Sequence, residues 1–168
     1  MSERGPPLPA FAADAMLGSL ARWLRLLGYD CTYSRDVTDD GLVEASRAEG
    51  RIVLTRDRRV AKRSARSVYV PPGTLDDEIV AVCAALGLRP PDEPPAVRCS
   101  VCNTLLEKAP AGTGPPLVPA RVVELGLDLW RCPSCSRHYW RGTHVESMAL
   151  RLRRVRERLA LAPDPARA

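Results

Sequence analysis

The chain has 168 residues, 45% of them apolar, and a net charge of +5, enough for one ordinary domain or a compact domain with a small metal-stabilised module. No run approaches the roughly 20 apolar residues of a membrane span. The polar, Pro-rich start from Met1 to Ala10 lacks the basic and apolar stretches of a signal peptide, so a cytoplasmic protein with reduced thiols is expected.

Residues 1–10 read as a disordered lead. Phe11-Ala12-Ala13 reads as a short buried strand ending at Asp14. Leu17, Leu20, Leu24 and Leu27 then recur at helical spacing, and Gly28 suits the helix end. Cys31-Thr32-Tyr33 reads as a second strand. A second helix is predicted from Asp39 to Glu49, with Leu42, Val43, Ala45 and Ser46 toward the core and Gly50 as its stop. Arg51 to Thr55 is the clearest strand, β-branched and apolar, and Arg56-Asp57 follows it. A short basic helix is read over Arg58 to Arg63 and a fourth strand over Ser67 to Val70. Thr74 opens the next helix, with Asp77 as its capping-box partner, and Gly87 follows its end near Leu86. This alternation predicts an α/β fold in which a parallel sheet is flanked by helices on both faces.

Arg89 to Ala96 holds four prolines and reads as a linker between a domain at 11–88 and a second region at 97–145. That region carries two CxxC pairs and little apolar periodicity. Glu146 to Leu161 returns to a helical pattern, with Met148, Leu152, Val155 and Leu159 on one face and five arginines on the rest. Residues 162–168 read as a disordered tail. Charge is uneven: residues 1–96 carry 13 Lys and Arg against 14 Asp and Glu, and residues 97–168 carry 12 against 6. A basic C-terminal part beside an acid-containing domain suits a polyanionic partner such as nucleic acid. Plain solubility would give the same balance.

Four of the six cysteines, Cys99, Cys102, Cys132 and Cys135, form the two CxxC pairs. Two such turns supply four soft ligands in a tetrahedron, the arrangement that structural Zn²⁺ prefers. A closed shell of four thiolates leaves no open position for catalysis. The segment is too poor in apolar residues to fold alone, so the ion supplies stability. Cys31 and Cys83 read as ordinary buried thiols.

Asp14 and Asp57 each follow a strand. The ends of parallel strands share one edge, where α/β folds build their sites. Asp39 begins a helix and is expected to face the same edge. Three acids there would hold Mg²⁺ or Mn²⁺ through oxygen ligands, the ions used in phosphodiester hydrolysis. Each also has a plain role as a helix cap or turn residue. Asp36, Asp40 and Glu44 are weaker candidates, and Asp76 and Asp77 read as first-turn helix acids.

The run Asp14-Ala15-Met16-Leu17-Gly18-Ser19-Leu20-Ala21-Arg22-Trp23-Leu24-Arg25-Leu26-Leu27-Gly28-Tyr29-Asp30 resembles the opening of a PIN-like ribonuclease family named for the C-terminal RNase domain of Mut-seven. Gly50 to Arg59 is similar to its second signature, the two cysteine knuckles to its zinc ribbon, and Tyr139 to His144 to its closing motif. The resemblance covers roughly residues 11–150. It implies a PIN-like domain that cuts RNA with Mg²⁺ or Mn²⁺, with Asp14, Asp39 and Asp57 at the matching acidic positions. A fourth acid, often present in such nucleases, has no clear position here.

Arg56, Arg58, Arg59, Lys62 and Arg63 are expected beside this site as phosphate contacts, with Arg151, Arg154 and Arg158 along an RNA backbone. Either group could instead be a solvated helix face. The leading expectation is a metal-dependent RNA endonuclease. Its rivals are a non-catalytic RNA- or ribosome-binding zinc-ribbon protein on the same scaffold, and a toxin-like nuclease under partner control.

Overall fold

The computed structural model describes residues 8–110 and 112–161. The expected tail and the first seven residues of the expected lead lie outside them. Four parallel strands form the main sheet: β1 (Ala10–Ala13), β2 (Asp30–Tyr33), β3 (Ile52–Thr55) and β4 (Ser67–Tyr69), in the order β2-β1-β3-β4. Side chains alternate between faces along each strand. Phe11, Ala13, Cys31, Ile52, Leu54 and Val68 enter one core, while Ala12 and Val53 enter the other.

The larger core is closed by α1 (Gly18–Leu26) and α4 (Leu75–Leu86), the smaller by α2 (Asp39–Glu49) and α3 (Arg58–Arg63). The leucine spacing of the first helix serves this packing: Leu17, Leu20 and Leu24 are fully buried. Helix ends follow their local chemistry. Thr74 and Asp77 form the reciprocal capping box of α4, and Gly50 and Gly87 close α2 and α4 at φ 67° and 63°, a region where glycine has no Cβ penalty. α2 is capped by the Thr38 hydroxyl, which accepts from the Gly41 amide at 3.1 Å. Asp39 is therefore a first-turn residue and not the cap.

After α4 the chain forms a three-stranded antiparallel sheet, β5 (Glu107–Lys108), β6 (Leu129–Arg131) and β7 (His138–Trp140), with α5 (Ala120–Glu124) before β6. The terminal helix α6 runs Thr143–Leu161, three residues earlier at its start than the periodicity placed it. It packs on α4, and its Leu152 and Val155 are fully buried in the core of the parallel sheet. The 89–96 segment is also packed: Pro90 and Pro94 are buried, Glu93 meets Arg141 at 3.1 Å and Asp92 pairs with Arg156.

The first cysteine knuckle docks on β2, the edge strand. Asn103 accepts from the Cys31 amide at 3.1 Å and donates to Asp30 at 2.8 Å. Arg25, only 6% exposed on α1, donates to the carbonyls of Cys31 at 2.8 Å and Val101 at 2.6 Å. These contacts satisfy an otherwise open sheet edge and join the cysteine region to the α/β unit.

Candidate active site and metal centre

The chain passes from β1 through α1 to β2 on one side, then returns through α2 to β3 on the other side of β1. The C-terminal ends of β1 and β3 therefore flank the point where strand order reverses. In open α/β sheets that crevice is where ligands bind.

Asp14 and Asp57 lie at this point. The Asp14 amide donates to Leu54 O at 3.0 Å, tying the end of β1 to β3. Its Oδ1 accepts from the Met16 amide at 3.3 Å, and its Oδ2 accepts from the Thr55 hydroxyl at 2.7 Å. Thr55 Oγ1 in turn accepts from the Asp57 amide at 3.0 Å. One fully buried hydroxyl thus links the two acid-bearing turns. Asp57 caps α3, where the Arg59 amide donates to its Oδ1 at 2.6 Å. That amide, with help from the Val60 amide and the Arg59 guanidinium, holds its carboxyl below the usual range. Both carboxylates retain free lone pairs.

Asp39 is exposed in the first turn of α2, with no hydrogen-bond or ion-pair partner among the described residues. Its neighbour Asp40 pairs with Arg63. Among the described residues, the three acids do not close to within 4.8 Å of one another as a metal-binding group; the four cysteines do. Asp76 and Asp77 serve helix–helix contacts. Asp77 holds the capping box and meets Arg158 at 2.7 Å, and Asp76 meets Arg151 at 3.0 Å.

A carboxylate that sequence reasoning missed is Glu78. It is 5% exposed on the first turns of α4 and pairs with Arg56 at the same sheet edge. Its signal was weak because it looked like a third acid in a capped helix. The bridging role of Thr55 was missed as well, although a hydroxyl ending a fully buried strand was available as a clue.

The basic residues divide. Arg58 stacks on the Tyr69 ring at 4.2 Å, and Lys62 is exposed with no ion-pair partner among the described residues. Arg59 remains near Asp57 at 3.5 Å. Arg56 and Arg63 are engaged by Glu78 and Asp40. Arg151, Arg154 and Arg158 face Asp76 and Asp77 across the α4–α6 contact, and Arg151 also lies over the Trp23 ring at 5.1 Å. These three bind the terminal helix to the core, with part of their charge already neutralised.

The sulfurs of Cys99, Cys102, Cys132 and Cys135 lie within 4.8 Å of one another. Cys99 and Cys135 are 3.6 Å apart and Cys102 and Cys132 3.4 Å. Thiolates about 2.3 Å from a tetrahedral ion sit roughly 3.8 Å apart, and a disulfide needs about 2.05 Å. The four could therefore form a zinc site. The two knuckles repeat one backbone design. The Asn103 and Ser136 amides donate to Cys99 O and Cys132 O at 3.0 and 2.9 Å, and both residues take positive φ. The Tyr139 hydroxyl lies 3.0 Å from Cys99 Sγ and accepts from the Ser100 amide at 3.2 Å, so this aromatic braces the cysteine cluster. By contrast, burial pushes the Cys31 and Cys83 thiols up to about 12, and they are inert packing groups.

The model of one family, described as the Mut7-C RNAse domain, matches residues 9–152. No match to a curated protein or to a solved structure was found.

Proposed function

This chain belongs to the Mut7-C RNAse domain family, and from that premise we propose that it is a metal-dependent RNA endonuclease that hydrolyses phosphodiester bonds in the cytoplasm. The observation that carries the reading is the hydroxyl bridge of Thr55 between Asp14 and the Asp57 turn, at the strand-order reversal of the sheet.

The donors there are carboxylate oxygens, the set that suits a hard cation such as Mg²⁺ or Mn²⁺. Asp14 and Asp57 would hold it, with Asp39 completing the set from α2. When bound, such an ion neutralises charge on the scissile phosphate and lowers the pKa of water. The chain's own residues do the positioning. Thr55 fixes the Asp14 carboxylate and the direction of the Asp57 turn. Arg58 and Lys62 offer charge to the flanking phosphates. Cys99, Cys102, Cys132 and Cys135 would hold structural Zn²⁺, which would supply stability to the ribbon against the β2 edge.

A second reading is a non-catalytic RNA- or ribosome-binding protein, favoured by the three acids not closing to within 4.8 Å of one another among the described residues. Asp14→Asn and Asp57→Asn decide between them. Under the nuclease reading each variant loses RNA cleavage while keeping its zinc and its fold. Undiminished cleavage in either variant contradicts the mechanism, and salt-dependent RNA binding without cleavage in the unaltered protein supports the second reading.

A further inference from the structure

Two cavities flank the N-terminal half of α1. The first, about 610 Å³, is lined by Ala15 and Met16, which follow Asp14 in the chain, and by Ser19, Trp23, Tyr33 and Arg35 among others. The second, about 360 Å³, lies against the first cysteine knuckle and is lined by Ser100, Arg137, His138 and Trp140 among others. Arg22 lines both.

Arg22, Arg35 and Arg137 are all exposed. None makes an ion pair among the described residues. That separates them from the arginines of α6, whose charge is met by Asp76 and Asp77. The wall of the first cavity is preformed. Tyr33 donates to Ala15 O at 3.1 Å, and a Cβ at Gly18 would meet the Tyr33 hydroxyl at 2.7 Å. Glycine is thus what lets the Tyr33 ring close against the start of α1. Arginines interleaved with aromatic rings form the kind of groove that takes an unpaired strand, with phosphates on guanidinium groups and bases on rings. A duplex keeps its bases stacked inside, out of reach of the Tyr33, His138 and Trp140 rings.

We propose that single-stranded RNA leaves the acidic edge across α1, its phosphates held by Arg35, Arg22 and Arg137 in turn, and reaches the cysteine ribbon. The proposal rests on the RNA reading above but not on catalysis. Arg22 is the central contact because, among the described residues, it alone borders both cavities. The track also gives the ribbon a second task beside its structural one, since Arg137 and His138 sit in and just after its second knuckle.

The test measures binding of a fluorescein-labelled 12-nucleotide RNA, and of its duplex, to full-length zinc-loaded protein carrying Asp57→Asn. No Mg²⁺ or Mn²⁺ is added. Arg22→Ala is expected to weaken single-strand binding about ten-fold and to lower the salt slope by about 0.7 for the lost phosphate contact. Arg22→Lys should keep most of the salt slope. Arg66→Ala, at the opposite edge of the sheet before β4, should bind as the parent does. Equal affinities for Arg22→Ala and Arg66→Ala, a preference for the duplex, or no RNA binding by the parent would overturn the groove. Absent cleavage by the unaltered protein in a separate assay with metal, alongside Arg22-dependent binding, would sink the nuclease reading and leave the groove standing.

Discussion

Replacing Thr55 with valine removes one oxygen from a fully buried position and keeps the side-chain shape, so no cavity opens. Two hydrogen bonds go with it: the one donated to Asp14 at 2.7 Å and the one accepted from the Asp57 amide at 3.0 Å. A bond to a charged group contributes about 1.5–3 kcal/mol, and an unpaired amide costs about 1–3 kcal/mol when water cannot reach it. Both acids are partly exposed, so water recovers part of this, and the net loss should be about 2 kcal/mol. That corresponds to a Tm roughly 4–8 °C lower for a chain of this size. Thr55 is a positioning residue, so kcat on RNA should fall about 10–100-fold, as when an outer partner of a metal ligand is removed, with KM little changed. Thr55→Ser keeps the hydroxyl and should restore most of kcat. Full activity in Thr55→Val, or a loss that Thr55→Ser fails to rescue, would refute the idea that this bridge organises the site.

Three further outcomes are expected. Asn103→Ala strands the buried Cys31 amide and puts alanine at φ 70°, which should cost about 3 kcal/mol in chemical denaturation; a loss under 1 kcal/mol would contradict the docking of the knuckle on β2. Stripping the cysteine centre with a strong chelator should unfold the ribbon and speed hydrogen exchange at Cys31, and unchanged protection there would contradict the coupling. Asp77 is held down to about 2 by the Thr74 hydroxyl, then Arg158, then the Thr74 amide. A depressed carboxylate stabilises the fold above its unfolded pKa of about 3.9. The stability difference between the parent and Asp77→Asn should thus be complete at pH 5 and fade as pH falls through about 2; a constant difference over that span would count against the contact.

What could be read from the chain was local. The strands of the parallel sheet announced themselves as short apolar runs, α1 by its leucine spacing, and the start of α4 by Thr74 and Asp77 three residues apart, whereas β5, α5, β6 and β7 had no such pattern to show them. The cysteine centre was legible because two CxxC turns carry their geometry within four residues each. What could not be read depends on residues far apart in sequence. Arg25 meets the Val101 carbonyl 76 positions away, and Arg158 meets Asp77 81 positions away. No periodicity reveals that the arginines of a basic helix will face acids on another helix, so their charge looked free. Nothing in the sequence singled out Asn103, yet its side-chain amide serves the edge strand and its backbone serves the knuckle. Arg22 sat inside a leucine-patterned helix, where only the packed structure shows that its face borders two cavities.

The most direct test of the nuclease account is cleavage of mixed cellular RNA by the purified, zinc-loaded protein with Mn²⁺, with Mg²⁺, or with neither, beside Asp14→Asn and Asp57→Asn. The account predicts discrete products that need added metal and vanish in both variants. Intact RNA under every condition, with the protein folded and its zinc retained, would contradict it.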